Sequence, residues 1–246
     1  FDVYQQALEN DPTTLQSKAN KEAAFTGIDR SRASLLPQIS GSLSASKNYG
    51  DSDGSSNNAG ISLNQSIYDQ SNWIAVDRAE LVASQADTRY ALAMQNLIVR
   101  TVNSYFNTLQ AKDDLEFAKA EKRAIERQLE QTKQRFEVGL TAITDVHEAQ
   151  AQYDTSVASE ISAENAVETN LEALREITGR YHPNLNELNT ETFSAAMPAP
   201  ADINSWVKKA EEFNLQLLAS NAGVDIAKYD IKSARSGHMP TVSLSA

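Results

Sequence analysis

The chain has 246 residues, and its 22 lysines and arginines are outnumbered by 33 aspartates and glutamates, which gives a net charge of −11. This acidic balance disfavours nucleic acid as a partner, because nucleic-acid binding requires a basic surface. Cysteine is absent, so disulfide scaffolds, thiolate metal sites and cysteine nucleophiles are excluded, and no apolar run approaches the ~18 residues of a membrane-spanning helix.

The first predicted element is a helix that begins at Pro12. Asp11 is a suitable N-cap for it, and proline is favoured at the first helical position because the N–H it lacks would have no partner there. We expect this helix to extend to about Ser34 and to end before Pro37.

Alternating polarity after Pro37 predicts a β-hairpin. The first strand alternates Ile39, Gly41, Leu43 and Ala45 with Gln38, Ser40, Ser42, Ser44 and Ser46. The second alternates Ile61, Leu63 and Ile67 with Ser62, Asn64, Ser66 and Tyr68, after a polar loop over 50–56. Such a hairpin either lies on a soluble core or crosses a membrane with its apolar face toward lipid. The pattern leaves both open, and in either case further strands must pair with it.

A very long helix should follow, because no proline or glycine occurs from about Trp73 to Val138. Its second half has heptad spacing at Leu115, Ala118, Lys122, Ile125, Leu129, Thr132 and Phe136. Gly139 should end it, and a return helix is expected over 143–178 with the same spacing at Ile143, Val146, Gln150, Tyr153 and Val157. Together they predict an antiparallel coiled-coil hairpin, which a mixed connector from Tyr181 to Asp202 follows.

The end of the chain repeats its beginning at an offset of 203 positions. Eleven identities occur in about forty aligned positions: Ala7/Ala210, Glu9/Glu212, Leu15/Leu218, Ser17/Ser220, Ala19/Ala222, Ala24/Ala227, Ile28/Ile231, Arg32/Arg235, Pro37/Pro240, Ser40/Ser243 and Ser42/Ser245. We interpret this as a tandem duplication. The second copy has only begun at Ala246, so we expect the chain to be the front portion of a longer protein.

The order of these elements resembles that of the TolC family of bacterial outer-membrane efflux channels. The residues that carry the resemblance are Leu36-Pro37-Gln38, the strand end over 65–69, the turn over 131–146, and the segments 151–154 and 177–179. The resemblance covers essentially the whole chain, and the duplication agrees with it.

The resemblance implies a mainly α-helical protein with a membrane β-barrel part. Three protomers would each give four strands to a twelve-stranded barrel, which a long α-helical coiled-coil barrel continues. It implies a passive exit duct in the outer membrane of a Gram-negative bacterium, extending into the periplasm. The partners would be a periplasmic membrane-fusion adaptor, an inner-membrane pump and outer-membrane lipid, in a tripartite efflux or type I secretion system that exports drugs or proteins.

On the same resemblance the chain divides into five segments. These are helices of the first repeat (1–36), an outer-membrane β-hairpin (37–70), a long periplasmic helix hairpin (71–180), an equatorial connector (181–205) and the start of the second repeat (206–246).

The resemblance also assigns three sets of site residues. Thr144 and Asp145 correspond to residues that hold the tunnel entrance shut, although Asp145 with Glu148 also forms a capping-box pattern. An adaptor-docking tip would comprise Val138, Gly139, Leu140 and Thr141, but glycine followed by leucine is also an ordinary helix stop. The barrel lumen would be lined by Ser40, Ser42, Ser44, Ser62, Asn64 and Ser66.

Several other features remain open or count against competing functions. Tyr49, Tyr68 and Trp73 could form an interfacial aromatic belt, and packing is an equal alternative for Trp73; the pair Tyr105/Phe106 is typical of packing. The three histidines are too scattered for one metal site, and the motifs of serine hydrolases and phosphate-binding loops are absent, so we expect neither an enzyme nor a cofactor. A periplasmic coiled-coil adaptor and a soluble coiled-coil scaffold remain as alternatives.

Overall fold

A computed structural model describes residues 2–48, 54–188 and 199–246. These residues form six helices and three strands. In chain order they are α1 (Asp2–Asn10), α2 (Pro12–Ala33), β1 (Gln38–Asn48), β2 (Gly54–Tyr68), α3 (Gln70–Glu137), α4 (Ile143–Thr178), α5 (Ile203–Phe213), α6 (Leu215–Ser236) and β3 (Val242–Ser245). None of the helices in these ranges combines the length and apolar composition that crossing a membrane requires.

The chain divides into two compact units. The first comprises the described parts of 1–15 and 94–197, and the second those of 16–93 and 198–246. In the first unit, α1 packs against α4, and Ala7 of α1 is completely buried. The chain leaves α4 through Gly179, whose positive φ of 72° and close approach to Asn10 both favour glycine at this position.

The predicted coiled-coil seam is confirmed for α3 within this unit. Leu115, Ala118, Lys122, Ile125, Leu129 and Thr132 are all buried or half-buried, whereas Phe136 at the end of the series is exposed. On α4 the most buried positions near the turn are Ala149 and Ser156, each one residue before a predicted seam position. This one-residue offset between the predicted and observed buried positions is small. Adjacent residues of a helix are about 100° apart, so both can border one seam.

An ion pair joins the two helices of this hairpin. Lys122 of α3 donates to the carboxylate of Glu160 on α4, and both side chains are largely shielded from solvent. Farther from the turn, Ala111, Val167 and Leu171 form a small apolar core with Leu115 packed against it. Apolar contacts and this ion pair therefore both help to fix the register of the two helices.

In the second unit, a three-stranded antiparallel sheet has the order β1-β2-β3. β1 pairs with β2 from Gln38↔Asn64 to Asn48↔Gly54, so β2 begins within the segment that was expected to be loop. The predicted third strand is confirmed, because β3 pairs with the end of β2. The sheet therefore has two outer strands, and the strand from the second copy of the repeat lies at one of its edges.

The helices of the second unit are joined by ion pairs along the first part of α3. Lys21 and Arg32 of α2 contact Asp87 and Glu80 of α3 at 2.6 and 2.8 Å, and Arg78 of α3 contacts Asp230 of α6 at 2.6 Å. The Gln85 amide also donates to the carbonyl of Ala219 in α6. This part of α3 is thus bound to a helix from each copy of the repeat.

The helix bounds support the tandem duplication. α2 and α6 are both 22 residues long, and their first residues, Pro12 and Leu215, lie 203 positions apart, as their last residues do. The preceding helices end at Asn10 and Phe213, again 203 positions apart. The two repeated stretches therefore form the same helix–helix–strand unit.

Candidate functional site

The two faces of the sheet differ in chemistry over its central part. Directly opposite residues of an antiparallel pair lie on one face, and the register pairs Ser40 with Ser62 and Ile39 with Leu63. On one face serines and asparagines oppose polar residues or glycine. The other face is apolar at Ile39/Leu63, Gly41/Ile61 and Leu43/Ala59, and it becomes polar at Asn57, at the pair Lys47/Ser55 and at Gln65. The hydroxyls of Ser40 and Ser62 are hydrogen-bonded at 2.9 Å.

All six residues expected to line a lumen lie on the same face. Ser42 opposes Gly60, Ser44 opposes Asn58, Asn64 opposes Gln38 and Ser245, and Ser66 opposes Ser243. The face extends beyond the predicted set to Ser46 and Ser56, whose hydroxyls are 2.9 Å apart. Ser56 was missed because polar composition alone does not distinguish a loop from the polar face of a strand.

The opposite face of the sheet is mainly apolar, and its large apolar side chains are uncovered. Leu43 is 85% exposed and Ile61 is 84% exposed, and Ile39 and Leu244 are also exposed. Large apolar side chains on a soluble hairpin would be buried against a core, because their exposure to water is unfavourable. The structure therefore disagrees with the alternative in which this hairpin lies on a soluble core.

A bulge near the end of β2 changes the orientation of Tyr68. The register shifts between Ser66 and Tyr68, so that Ser66 opposes Ser243 while Tyr68 opposes Val242. Strict alternation predicts Tyr68 on the polar face, and this prediction is wrong, because the extra residue of a bulge reverses the alternation after it. Tyr68 therefore lies on the same face of the sheet as Val242, which is the mainly apolar face.

The turn between α3 and α4 is a Schellman motif. The Leu140 N–H donates to the carbonyl of Arg135 at 2.8 Å, and the Gly139 N–H donates to that of Phe136 at 2.9 Å. Gly139 has a φ of 76°, in the left-handed region that favours glycine. The predicted helix stop is therefore present, and it accounts for the glycine.

The helix stop does not account for the apolar residues on either side of that glycine. Val138 is 69% exposed and Leu140 is 70% exposed, and Ile143 beside them is also exposed. In a Schellman motif the residue after glycine often packs on the preceding helical turn, but Leu140 is largely in solvent. The turn thus presents an apolar surface that its own fold does not bury.

Asp145 is engaged within the same turn. Its carboxylate accepts hydrogen bonds from the Thr141 hydroxyl and from the Ala142 N–H, the latter at 3.3 Å, and the Thr144 hydroxyl lies 3.5 Å away. The hydrogen bond from Thr141 is the main reason that the pKa of Asp145 is lowered, and the Ala142 N–H adds to it. Asp145 is therefore ionised at neutral pH.

The predicted capping box around Asp145 is wrong in its register. Because α4 begins at Ile143, Ala142 is the N-cap residue and Asp145 is the third helical residue, not the cap itself. Alanine has no side-chain acceptor, so only the half of the box in which Asp145 accepts from the Ala142 N–H is formed. Glu148 has no part in it.

The remaining predicted residues are distributed over several elements. Tyr49 lies outside the described residues, and Trp73 is in the first turn of α3 with 59% of its surface exposed. His147 is on α4, His182 follows α4 and His238 follows α6. The described ranges contain no group of three or more side chains that could hold a metal ion.

Comparisons with known proteins agree on one family. A family model described as "Outer membrane efflux protein" matches residues 3–180. The chain is 46% identical over 248 residues to "Outer membrane protein TolC" of Vibrio cholerae serotype O1, covering 99% of this chain and 56% of the relative. It is 28% identical over 261 residues to "Alkaline protease secretion protein AprF" of Pseudomonas aeruginosa, covering 100% of this chain and 54% of the relative.

Solved structures have the same fold. The CmeC outer membrane channel of Campylobacter jejuni superposes with a TM-score of 0.71 at 19% identity, over 99% of this chain and 54% of that chain. This chain spans about half the length of the curated relatives that it matches.

Proposed function

Because the chain belongs to the outer membrane efflux protein family, we propose that it is part of a trimeric exit duct that conducts drugs or proteins passively out of the cell. It is a protein of the Gram-negative outer membrane, and its relatives are outer-membrane channels, which are not enzymes. The similarity to a protein named for protease secretion supports protein export as well as efflux.

One observation carries the proposal: the sheet has an exposed apolar face backed by a continuous face of serine and asparagine. A transmembrane barrel needs this arrangement, with apolar side chains toward lipid and small polar side chains toward a water-filled lumen. The 11 residues of β1 are enough to cross a bilayer. Ser40, Ser42, Ser44, Ser62, Asn64 and Ser66 would line the lumen.

The open edges of the sheet support assembly into a larger barrel. β1 and β3 are outer strands, and an unpaired strand edge within a membrane is excluded because its N–H and C=O groups would lack partners. A fourth strand from the remainder of the protein and the sheets of two further protomers would close the ring. This gives the twelve-stranded barrel of the proposed homotrimer.

The turn between α3 and α4 is proposed as both docking tip and part of the gate. Exposed Val138 and Leu140, with Gly139 and Thr141, form an apolar surface suited to the periplasmic membrane-fusion adaptor, which would link the duct to an inner-membrane pump. Thr144 and Asp145 would hold neighbouring hairpins together when the duct is closed. The adaptor opens the duct only if it binds the open state more tightly than the closed one.

Neighbouring residues on opposite faces of β2 provide a test. In the full-length protein, Ile61→Lys places a charge on the lipid-facing side, which costs about 2–4 kcal/mol near the middle of the bilayer. Ser62→Lys places the same charge on the lumen side, where water can solvate it. We expect Ile61→Lys to abolish recovery of trimers from the outer-membrane fraction, and Ser62→Lys to assemble normally with altered single-channel conductance and ion selectivity.

The matched pair makes the test decisive, because both substitutions add the same side chain at adjacent positions of one strand. Equal assembly of both variants, or failure of Ser62→Lys alone, would contradict the assigned faces. Wild-type protein that forms no conducting channel in planar bilayers would contradict the duct itself.

The two alternative functions have less support. A soluble scaffold would not expose an apolar sheet face to water, because that exposure is unfavourable. A periplasmic adaptor has less support because the relatives named above are outer-membrane and secretion proteins.

A further inference from the structure

A cavity of about 550 Å³ lies in the first unit, and no residue of the sheet or of the α3–α4 turn lines it. It is formed by the start of α1, the middle of α3 and the segment that follows α4. Tyr105 and Phe106 of α3 line it, with their rings packed edge to face at 6.1 Å. The Tyr105 hydroxyl is fixed by a 2.6 Å hydrogen bond to the carbonyl of Asn186. The walls of the cavity are thus held in place.

Buried polar atoms without partners are concentrated in residues that line this cavity. In the described part of the chain, four buried side-chain polar atoms have no hydrogen-bond partner, and three of them belong to residues that line it: Gln6 Oε1, Thr101 Oγ1 and His182 Nε2. Thr101 is only 4% exposed. A buried polar group without a partner is costly, so native proteins keep few of them. Three around one cavity indicate that a ligand supplies the missing hydrogen bonds.

The lining indicates the charge of that ligand. Asp2 contributes a carboxylate, and among the described residues no lysine or arginine lines the cavity. Tyr4, Tyr105 and Phe106 contribute aromatic rings, whose faces attract cations. Val3, Val102 and Leu185 add apolar surface. A carboxylate, aromatic rings and hydrogen-bond acceptors together complement a positively charged group on an apolar body.

We propose that this cavity binds a small organic cation, an ammonium or amidinium group carried on an aromatic or aliphatic body. The charged group donates hydrogen bonds to Gln6 Oε1 and Thr101 Oγ1 near the Asp2 carboxylate, while the apolar body packs against Tyr105 and Phe106. The volume is within the range of ordinary small-molecule sites. None of the residues that line the cavity belongs to the sheet or to the α3–α4 turn, so the proposal does not depend on the proposed conduction path.

The experiment uses benzamidinium as the probe and neutral benzamide, which has nearly the same shape, as its control. Each is titrated into the full-length protein in detergent and followed by ligand-observed NMR, with a protein-free micelle blank. We expect saturable binding of benzamidinium and clearly weaker binding of benzamide. Asp2→Asn should weaken benzamidinium binding by about two- to fivefold, as expected for an exposed charge pair, and leave benzamide unaffected.

Two isosteric substitutions on α3 separate ligand binding from structure. Thr101→Val removes a hydroxyl that has no partner, so it should raise the thermal midpoint of the free protein while weakening benzamidinium binding by about two- to tenfold. Thr108→Val is the matched control. Thr108 is completely buried and donates to the carbonyl of Ser104 at 2.8 Å, so its loss should lower the thermal midpoint and leave binding unchanged.

Absence of benzamidinium binding to the wild-type protein would overturn the proposal. Equal binding of benzamidinium and benzamide would overturn the cationic class of ligand. Equal loss of binding in Thr101→Val and Thr108→Val would overturn the role of the Thr101 hydroxyl. Because channel conductance is measured separately, each of these outcomes leaves the proposed duct unaffected.

Discussion

Asp11 and Asn214 occupy the same position in the two copies of the repeat, but their surroundings differ. Asp11 is 1% exposed and its carboxylate accepts from the Thr14 N–H at 2.8 Å, from the Thr14 hydroxyl and from Arg100 at 2.7 Å. Asn214 is exposed and accepts only from the Leu217 N–H at 3.0 Å. Both residues cap a helix, but Asp11 also binds α2 to α3.

The electrostatics of Asp11 determine its response to pH. Burial opposes the ionised form and alone would raise the pKa of Asp11, but hydrogen bonds from Arg100 and Thr14 outweigh it, and the pKa is lowered. A carboxyl whose pKa is lower in the folded protein than in the unfolded chain stabilises the fold above the unfolded pKa. This contribution is lost as pH falls through the folded value.

We therefore expect Asp11→Ala to lower the free energy of unfolding by about 2–4 kcal/mol, because it removes the cap, the Arg100 pair and the acceptor of the buried Thr14 hydroxyl. Asn214→Ala, the control at the equivalent cap, should cost about 1 kcal/mol. Denaturant unfolding followed by circular dichroism measures both. The loss of stability below about pH 4 should be shallower in Asp11→Ala and unchanged in Asn214→Ala. Equal losses in the two variants would count against the added role of Asp11.

At the scale of elements, the turn between α3 and α4 reverses the chain, and we propose it as part of the gate. The Schellman motif and the hydrogen bonds to Asp145 define how the chain reverses, and they use only residues of the turn itself. A gate would need Asp145 to reach a neighbouring hairpin as well. A substitution can separate the two roles only if it alters one set of contacts and not the other.

Thr141→Val and Asp145→Asn make this separation in the full-length protein. Thr141→Val removes the local hydrogen bond but keeps the carboxylate, whereas Asp145→Asn removes the charge but keeps an acceptor of similar shape. If Asp145 is part of the gate, Asp145→Asn should raise the closed-state conductance in planar bilayers, and Thr141→Val should leave it unchanged. Because the pKa of Asp145 is below its ordinary 3.8, acidification should reproduce the effect only below about pH 4. Unchanged conductance in Asp145→Asn would contradict the gate role and would limit Asp145 to a structural role in the turn.

At the scale of the whole molecule, the second copy of the repeat lacks partners that the first copy has. Ala7 of α1 is completely buried against α4, whereas its counterpart Ala210 of α5 is exposed. The same holds for the buried Thr14 of α2 and its exposed counterpart Leu217 of α6. In the proposed assembly, a second helical hairpin would cover these exposed helix faces. Neighbouring strands, including those of further protomers, would pair with the two sheet edges.

Native mass spectrometry of the source protein extracted in detergent measures this directly. We expect an assembly of three identical chains, each of about twice the mass of this 246-residue chain, since it spans 54–56% of the relatives named above. A monomer, or an assembly of another order, would leave the sheet edges without the proposed neighbours and would count against the shared barrel.

The elements were predictable from the sequence because their signals are local. Proline at Pro12 and glycine at Gly139 locate helix ends, and a seam at three- and four-residue spacing locates the buried side of α3, as backbone geometry requires. The alternation after Pro37 likewise separates the two faces of the sheet, since side chains on a strand point alternately to either side. The offset of 203 positions was visible because the two copies share eleven identical residues, among them Pro37 and Pro240 before the strands.

What depends on contacts between distant residues was decided only by the tertiary structure. The bulge that turns Tyr68 toward Val242 becomes visible only when β3 is paired with β2. The exposure of Leu43 distinguishes a sheet face that is open to lipid from one that packs on a core, and this exposure depends on which other parts of the chain cover the sheet. The cavity that joins Gln6, Thr101 and His182 brings together three distant parts of the sequence. Sequence patterns record which way a side chain points from its own backbone, but only the folded chain determines what it meets there.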